Sequence, residues 1–253
     1  MQALSTPAIV LHRTRYSDSY SIYQLYTREA GAVGVLVPER RQRRQPVREL
    51  LRPLAEVELI LKKQSRGELY KIQEARGLCL HHSLQTHPAK GAQAIFLSEF
   101  LYRILRTPSP EPELYHFISH SLKLWEGLEQ GVANFHLSFL IQLLEYFGLT
   151  PELPEEPCLG RFFDLSELRF VPSPGAYRLS PEEYAAVPAL LRMSYERLYG
   201  YPLNRLQRAR ILDLLLDYYR LHLHHFPPLK CLPILRQLAT TSPPPASIPV
   251  DED

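Results

Sequence analysis

The chain has 253 residues, 45% of them hydrophobic, and a formal net charge of +2. That length can bury one large core or two modest ones, and the hydrophobic content is ordinary for a globular protein. No run approaches about 18 uninterrupted apolar residues and the N-terminus lacks a charged-then-apolar leader, so neither a membrane span nor export is expected. Cys79, Cys158 and Cys231 are widely separated and form no pairing or metal-ligand spacing, so a reduced cytoplasmic protein is expected.

The near-neutral total hides an asymmetry. Residues 1–80 carry fourteen Lys/Arg against eight Asp/Glu, while residues 81–253 carry fifteen against nineteen. A basic first part suits a polyanion, and a mildly acidic remainder suits something else.

In chain order, residues 6–80 read as β-structure. Thr6 to Tyr16 is rich in β-branched and aromatic residues and stops at Ser17-Asp18. Ser19 to Tyr26 alternates, with Tyr20, Ile22 and Tyr26 on one face and Tyr23 and Leu25 on the other. The first face is the expected barrel core. Thr27 to Gly31 is a turn in which glycine can take a positive φ. Ala32 to Val37 is a short apolar strand halted by Pro38. Residues 39–48 then hold five arginines: Arg40, Arg41, Arg43, Arg44 and Arg48. Arginine's fork of donors fits phosphate oxygens, but a solvated charged loop has the same composition, and both readings stand. Leu54 to Lys63 alternates again, Ser65 to Gly67 turns, and Glu68 to Leu80 returns. Five strands without a crossover helix favour a small antiparallel barrel, because closure removes exposed edges.

From residue 89 the period shifts to about 3.6. Ile95, Leu97, Phe100, Leu101, Ile104 and Leu105 form one stripe, ended by the proline-rich stretch Thr107 to Pro112. Leu114, Phe117, Ile118, Leu122 and Trp125 form a second stripe. Phe135, Phe139, Leu140, Leu143, Leu144 and Phe147 form a third, closed by Gly148. Prolines interrupt residues 151–180, where Cys158 to Val171 suits a small hairpin. Helices resume near 181–198, 203–222 and 229–238. The Pro/Ser-rich tail, residues 240–253, is expected to be disordered. The organisation expected is α+β: an N-terminal barrel over 1–82, a helical domain over 83–239 with its insert at 151–180, and the tail.

Chemistry-bearing constellations are sparse. His116 and His120 are four apart on a helix, a zinc-compatible spacing without a completing ligand. His222, His224 and His225 cluster at a helix end, where the dipole explains them. There is no phosphate-binding glycine loop, no G-x-S-x-G elbow and no nucleophile beside a base, so an enzyme is not expected. The barrel offers more. Arg13 and Arg15 share a strand face, and Lys62, Lys63 and Arg66 lie at a hairpin end with Lys71 beside them. Tyr16, Tyr20, Tyr23, Tyr26 and Tyr70 interleave with these cations. Cations that track a backbone and aromatics that stack on bases are how small barrels hold strands of nucleic acid. Removing Arg43 and Arg44 together should weaken nucleic-acid binding across sequences and flatten its salt dependence.

The stretch from Thr14 to Gly31 resembles the N-terminal signature of the RecO family of bacterial DNA repair and recombination mediators. Leu51-Arg-Pro-Leu54 and Gly67 to Ala75 agree with it, as do Leu97 to Leu105, Phe139 to Gly148, Tyr218 to Leu223 and Leu229 to Arg236. The resemblance spans roughly residues 6–238. It implies an OB-fold barrel followed by a helical domain, binding of single- and double-stranded DNA, and annealing of complementary strands. It further implies work with RecR and with the C-terminal tail of single-strand-binding protein, so that RecA can load on gaps in the RecF pathway, near the nucleoid in the cytoplasm. Arg103, Arg106 and Lys123 are the candidates to receive the acidic tail. Two departures stand out. Relatives often carry a basic glycine-containing segment where this chain reads Val37-Pro-Glu-Arg40, with the charge displaced into Arg40 to Arg44. Some relatives have four cysteines as a zinc module where this chain keeps only Cys158, so no zinc and no other cofactor is expected, and Phe162, Phe163, Leu165 and Phe170 should hold the insert instead. Two other readings stay open: a non-catalytic partner-docking scaffold, and an RNA-binding barrel protein.

Overall fold

A computed structural model describes residues 3–39, 47–65, 67–152, 161–224 and 226–241. The N-terminal part of the fold is a closed barrel of β1 (Leu4–Arg15), β2 (Tyr20–Thr27), β3 (Gly31–Pro38), β4 (Glu56–Lys63) and β5 (Tyr70–Cys79), in the order β1-β2-β3-β5-β4. A one-turn helix, α1 (Val47–Leu50), precedes β4. All pairings are antiparallel except the short parallel contact of β3 with β5, through Val35–Tyr70 and Leu36–Lys71. Alternation decides what fills the barrel. Val33, Val35 and Val37 of β3 and Val57, Leu59 and Leu61 of β4 point inward and are buried. A register shift between Val10 and His12 bends β1, which pairs with β4 along its first half and with β2 along its second.

The barrel core corrects one expectation. Tyr23 and Leu25 fill the interior, not Tyr20, Ile22 and Tyr26. Tyr20 is 40% exposed, Ile22 is half-buried, and Tyr26 is buried on the outside of the barrel, 6.5 Å from the ring of Tyr115. The reason lies in the helices. Ile9, Leu11, Tyr26 and Leu54 pack outward into the helical core, so both faces of these strands are apolar.

The helical part comprises α2 (His82–Thr86), α3 (Pro88–Ile104), α4 (Pro112–Gly127) and α5 (Phe135–Tyr146). Prolines open α3 and α4, where the missing N–H costs no hydrogen bond. Trp125 of α4 stacks on Phe135 of α5, with ring centres 4.5 Å apart. The predicted turn at Gly31 has a φ of +62°, and a Cβ there would lie 2.2 Å from the carbonyl oxygen of Ser109. The Ala32 N–H donates to the Thr107 carbonyl at 3.1 Å, so the β2–β3 hairpin rests on the loop between α3 and α4.

The insert is a three-stranded sheet of β6 (Phe162–Asp164), β7 (Arg169–Val171) and β8 (Arg178–Leu179), one strand more than the expected hairpin. Phe163 and Phe170 pack against each other and against Tyr184, and Phe163, Leu165, Val171 and Leu179 are buried. Arg178 pairs with Asp164 at 2.9 Å. Cys158 lies outside the described residues. The helix expected over 181–198 is divided: α6 (Pro181–Leu191) is followed by a 3₁₀ segment, Tyr195–Gly200. Between them Met193 turns into the core, and its carbonyl accepts from Ser138 at 3.0 Å. Then come α7 (Arg205–His222) and α8 (Cys231–Thr241). The tail beyond residue 241 lies outside the described residues.

Candidate nucleic-acid interface

A groove of about 1260 Å³ runs along the seam between the barrel and the helices. β1, β2, β3, α1 and β5 form one wall, and α3 with the start of α8 forms the other. Its described lining holds six cations (Arg13, Arg48, Arg52, Lys71, Arg103 and Lys230) against two carboxylates, Glu49 and Glu99. Such a cleft with low-dielectric walls concentrates a positive potential.

Glu39 organises the barrel side. It accepts from Ser21 and from Arg13 at 2.7 Å, and its other oxygen pairs with Arg48 at 3.1 Å. These hydrogen bonds, from Ser21 and then Arg13, hold the Glu39 carboxyl below its ordinary range. Arg13 also donates to the Ser21 hydroxyl at 3.1 Å and lies 5.9 Å from the ring centre of Tyr23. Arg13 is thus aimed by its partners, with 45% of its side chain still exposed.

Aromatic rings line the helix side. His12 of β1 stacks on Tyr102 of α3 at 4.5 Å and 14°. Burial, with Arg103 nearby, lowers the His12 pKa and favours the neutral ring. Arg103 sits 5.3 Å from the Tyr102 ring and pairs with Glu99 at 2.9 Å. Tyr20, Ile95 and Ile234 line the same groove while remaining substantially exposed.

Glu99 also closes the groove's far end. Its two oxygens accept from the backbone N–H groups of Lys230 and Cys231 at 2.9 and 2.8 Å, which ties the start of α8 to α3. Burial pushes the Glu99 carboxyl up, but hydrogen bonds from Cys231, Lys230 and Arg103 outweigh it and hold the pKa at about 2. Burial and the Glu99 carboxylate push the Cys231 thiol up to about 12.

The predicted DNA-contacting residues fall into separate groups. Arg13 and Lys71 line the groove. Lys62 and Lys63 are exposed at the end of β4, with Lys62 directly opposite Lys71 and Lys63 opposite Tyr70, so a lysine cluster continues from the groove. Arg15 stands apart at the β1–β2 tip, paired with Asp18 at 2.8 Å beside the exposed Tyr16. Arg40, Arg41, Arg43, Arg44 and Arg66 lie outside the described residues.

The three cations assigned to a partner are not gathered in one place. Arg103 belongs to the groove, Arg106 is exposed just after α3, and Lys123 of α4 lies 3.9 Å from Glu56. His116 and His120 are exposed on α4. Sequence reasoning missed His12, Arg52, Tyr102 and Lys230, because only the fold brings these distant positions together. Arg48, the last arginine of the run, is the one member of it among the described residues, and it lines the groove.

Together these features define an α+β protein in which an OB-type barrel is joined to a helical bundle through a shared core, with a basic, aromatic-lined groove at the seam. Residues 1–79 match the family described as Recombination protein O N terminal, and residues 86–231 match Recombination protein O C terminal. The chain therefore belongs to the RecO family of recombination and DNA repair proteins. It is similar to the DNA repair protein RecO of Porphyromonas gingivalis, at 39% identity over 237 residues, which cover 91% of this chain and 97% of that protein. The RecO proteins of Phocaeicola vulgatus and Flavobacterium psychrophilum are 38% and 24% identical, covering 92% and 93% of this chain and 98% of each relative. Among the described residues, no helix is long and apolar enough to cross a membrane.

Proposed function

We propose that this chain is a DNA repair mediator that binds single- and double-stranded DNA, anneals complementary strands and helps load a recombinase on gaps coated with single-strand-binding protein. The observation that carries the reading is the seam groove, whose lining combines six cations with the stacked His12–Tyr102 pair. Annealing makes and breaks no covalent bonds. It requires two phosphate backbones to be neutralised so that strands can approach. A strand lying in the groove would set its phosphates against Arg52, Lys71 and Lys230, and an unstacked base against Tyr20 or the His12–Tyr102 pair. The lysine cluster of Lys62, Lys63 and Lys71 would draw the second strand, or the flanking duplex, to the same end of the barrel. RecR, the acidic tail of single-strand-binding protein and, indirectly, RecA are the partners this reading carries, on the strength of family membership.

The test is fluorescence-monitored annealing of complementary strands coated with single-strand-binding protein. Wild-type protein should accelerate pairing, and a variant with Arg52, Lys71 and Lys230 changed to alanine should lose most of the acceleration while keeping its thermal transition. Equal acceleration by that variant would remove the groove from the mechanism.

A further inference from the structure

Outside the groove, on the side of the barrel facing α4, three side chains that no feature of DNA binding explains come together. Glu56 opens β4, Cys79 closes β5 directly opposite it, and His81 follows two residues later. The His81 ring bridges the other two. Its Nδ1 lies 3.5 Å from Cys79 Sγ and its Nε2 lies 3.1 Å from Glu56 Oε1. His81 and Glu56 are each 2% exposed, whereas Cys79 is half-buried. His81 also holds a left-handed backbone, with φ 44° and ψ 69°, a conformation disfavoured for a non-glycine residue. Such strain persists only where the surroundings impose it, and it marks the residues whose position matters.

The hydrogen-bond directions follow from Glu56. Its other oxygen accepts from the Ser119 hydroxyl at 2.5 Å and has Lys123 Nζ 3.9 Å away, an environment that suits a carboxylate. A carboxylate only accepts, so Nε2 carries the hydrogen, and in the neutral ring the Nδ1 lone pair faces the thiol. A nucleophile beside a base, with the base oriented by a third group, is the arrangement that activates a thiol. The same geometry argues against a metal centre. An ion bonded to Nδ1 and Sγ would leave Glu56 on the other ring nitrogen, as a supporting carboxylate rather than a third ligand.

We propose that Cys79 is a modification site, a thiol primed by His81 and Glu56 for oxidation by hydroperoxides. With hydrogen peroxide, sulfur attacks one peroxide oxygen, an S–O bond forms and the O–O bond breaks. The thiol proton passes to His81 Nδ1 and on to the departing hydroxide, which leaves as water. Sulfur loses two electrons, the peroxide gains them, and the product is the Cys79 sulfenic acid. Glu56 holds the imidazolium during the transfer. Cys79 is only partly buried and so within reach of a small oxidant, while its two supporting groups stay dry. The sulfenic acid would sit beside the Glu56–Ser119 hydrogen bond that joins β4 to α4.

The full-length protein tests this with its own controls. Iodoacetamide labelling followed by peptide mass mapping gives a rate for each cysteine, in native protein and in urea at the same pH. Cys79 should react at least about tenfold faster in the native protein than in the unfolded chain, where it is an ordinary thiol. Cys231 should react far more slowly in the native protein. Exposure to hydrogen peroxide should leave a dimedone adduct at Cys79. His81→Asn keeps a residue that tolerates the left-handed backbone, and it should bring the Cys79 rate down to the unfolded value. Native Cys79 reacting more slowly than in urea, or yielding no adduct, would overturn the proposal whether or not the variant folds. So would cobalt(II) binding with a thiolate charge-transfer band, which would make the trio a metal centre.

Discussion

Changing Lys62, Lys63 and Lys71 together to alanine separates electrostatic grip from folding. All three are exposed, so their removal should cost little stability. Lys62 and Lys71 face each other across β4 and β5, so removing them also relieves a like-charge pair. The thermal transition should therefore stay within a degree or two of wild type. If each lysine neutralises one phosphate, the slope of log affinity against log salt should flatten by about 2, taking roughly 0.7 per contact for a single strand. Between about 50 and 200 mM salt, wild type should then lose about twentyfold more affinity than the variant. Fluorescence anisotropy with a labelled oligonucleotide across a salt series measures both slopes. Unchanged slopes at an unchanged thermal transition would refute the assignment, because the charges would be present without touching phosphates.

Two further outcomes are expected. Tyr102→Ala should weaken single-strand binding by about 1–3 kcal/mol per stacked base while leaving the salt slope unaltered, which distinguishes stacking from charge in the same anisotropy assay. Glu99→Gln should loosen the start of α8. Because the folded-state pKa of Glu99, about 2, lies below its ordinary value of 4.5, the carboxylate contributes stability above about pH 4.5 that is lost as pH falls toward 2. The difference corresponds to about 3 kcal/mol. The thermal transition should fall less steeply between about pH 5 and 3 in the variant than in wild type, and parallel curves would contradict the role given to Glu99.

Local order was legible in the chain because local rules set it. Alternation, β-branched and apolar runs and turn residues together marked all five barrel strands to within about two residues, Gly31 marked the hairpin turn, and the apolar stripes marked α3, α4 and α5. The family and its OB-type barrel followed from the order and spacing of short segments. Alternation alone could not say which face of β2 points inward. It separates Tyr23 and Leu25 from Tyr20, Ile22 and Tyr26, but Tyr26 is buried as well, against α4. A strand with apolar residues on both faces has an inside only once its neighbours are placed.

The same limit applies to function. The basic character of the first 80 residues was visible from composition. The groove was not, because its walls come from β1, α1, α3 and α8, and Glu99 meets Cys231 across 132 positions of chain. Glu56 reads as one polar position in an alternating strand, and Cys79 and His81 as isolated residues at a strand end. Barrel closure pairs β4 with β5, and α4 packs over that pairing, which turns three separate side chains into one network. Sequence periodicity reports which residues avoid water. Which of them meet is decided by long-range packing, and the groove and the Cys79 network both arise at that level.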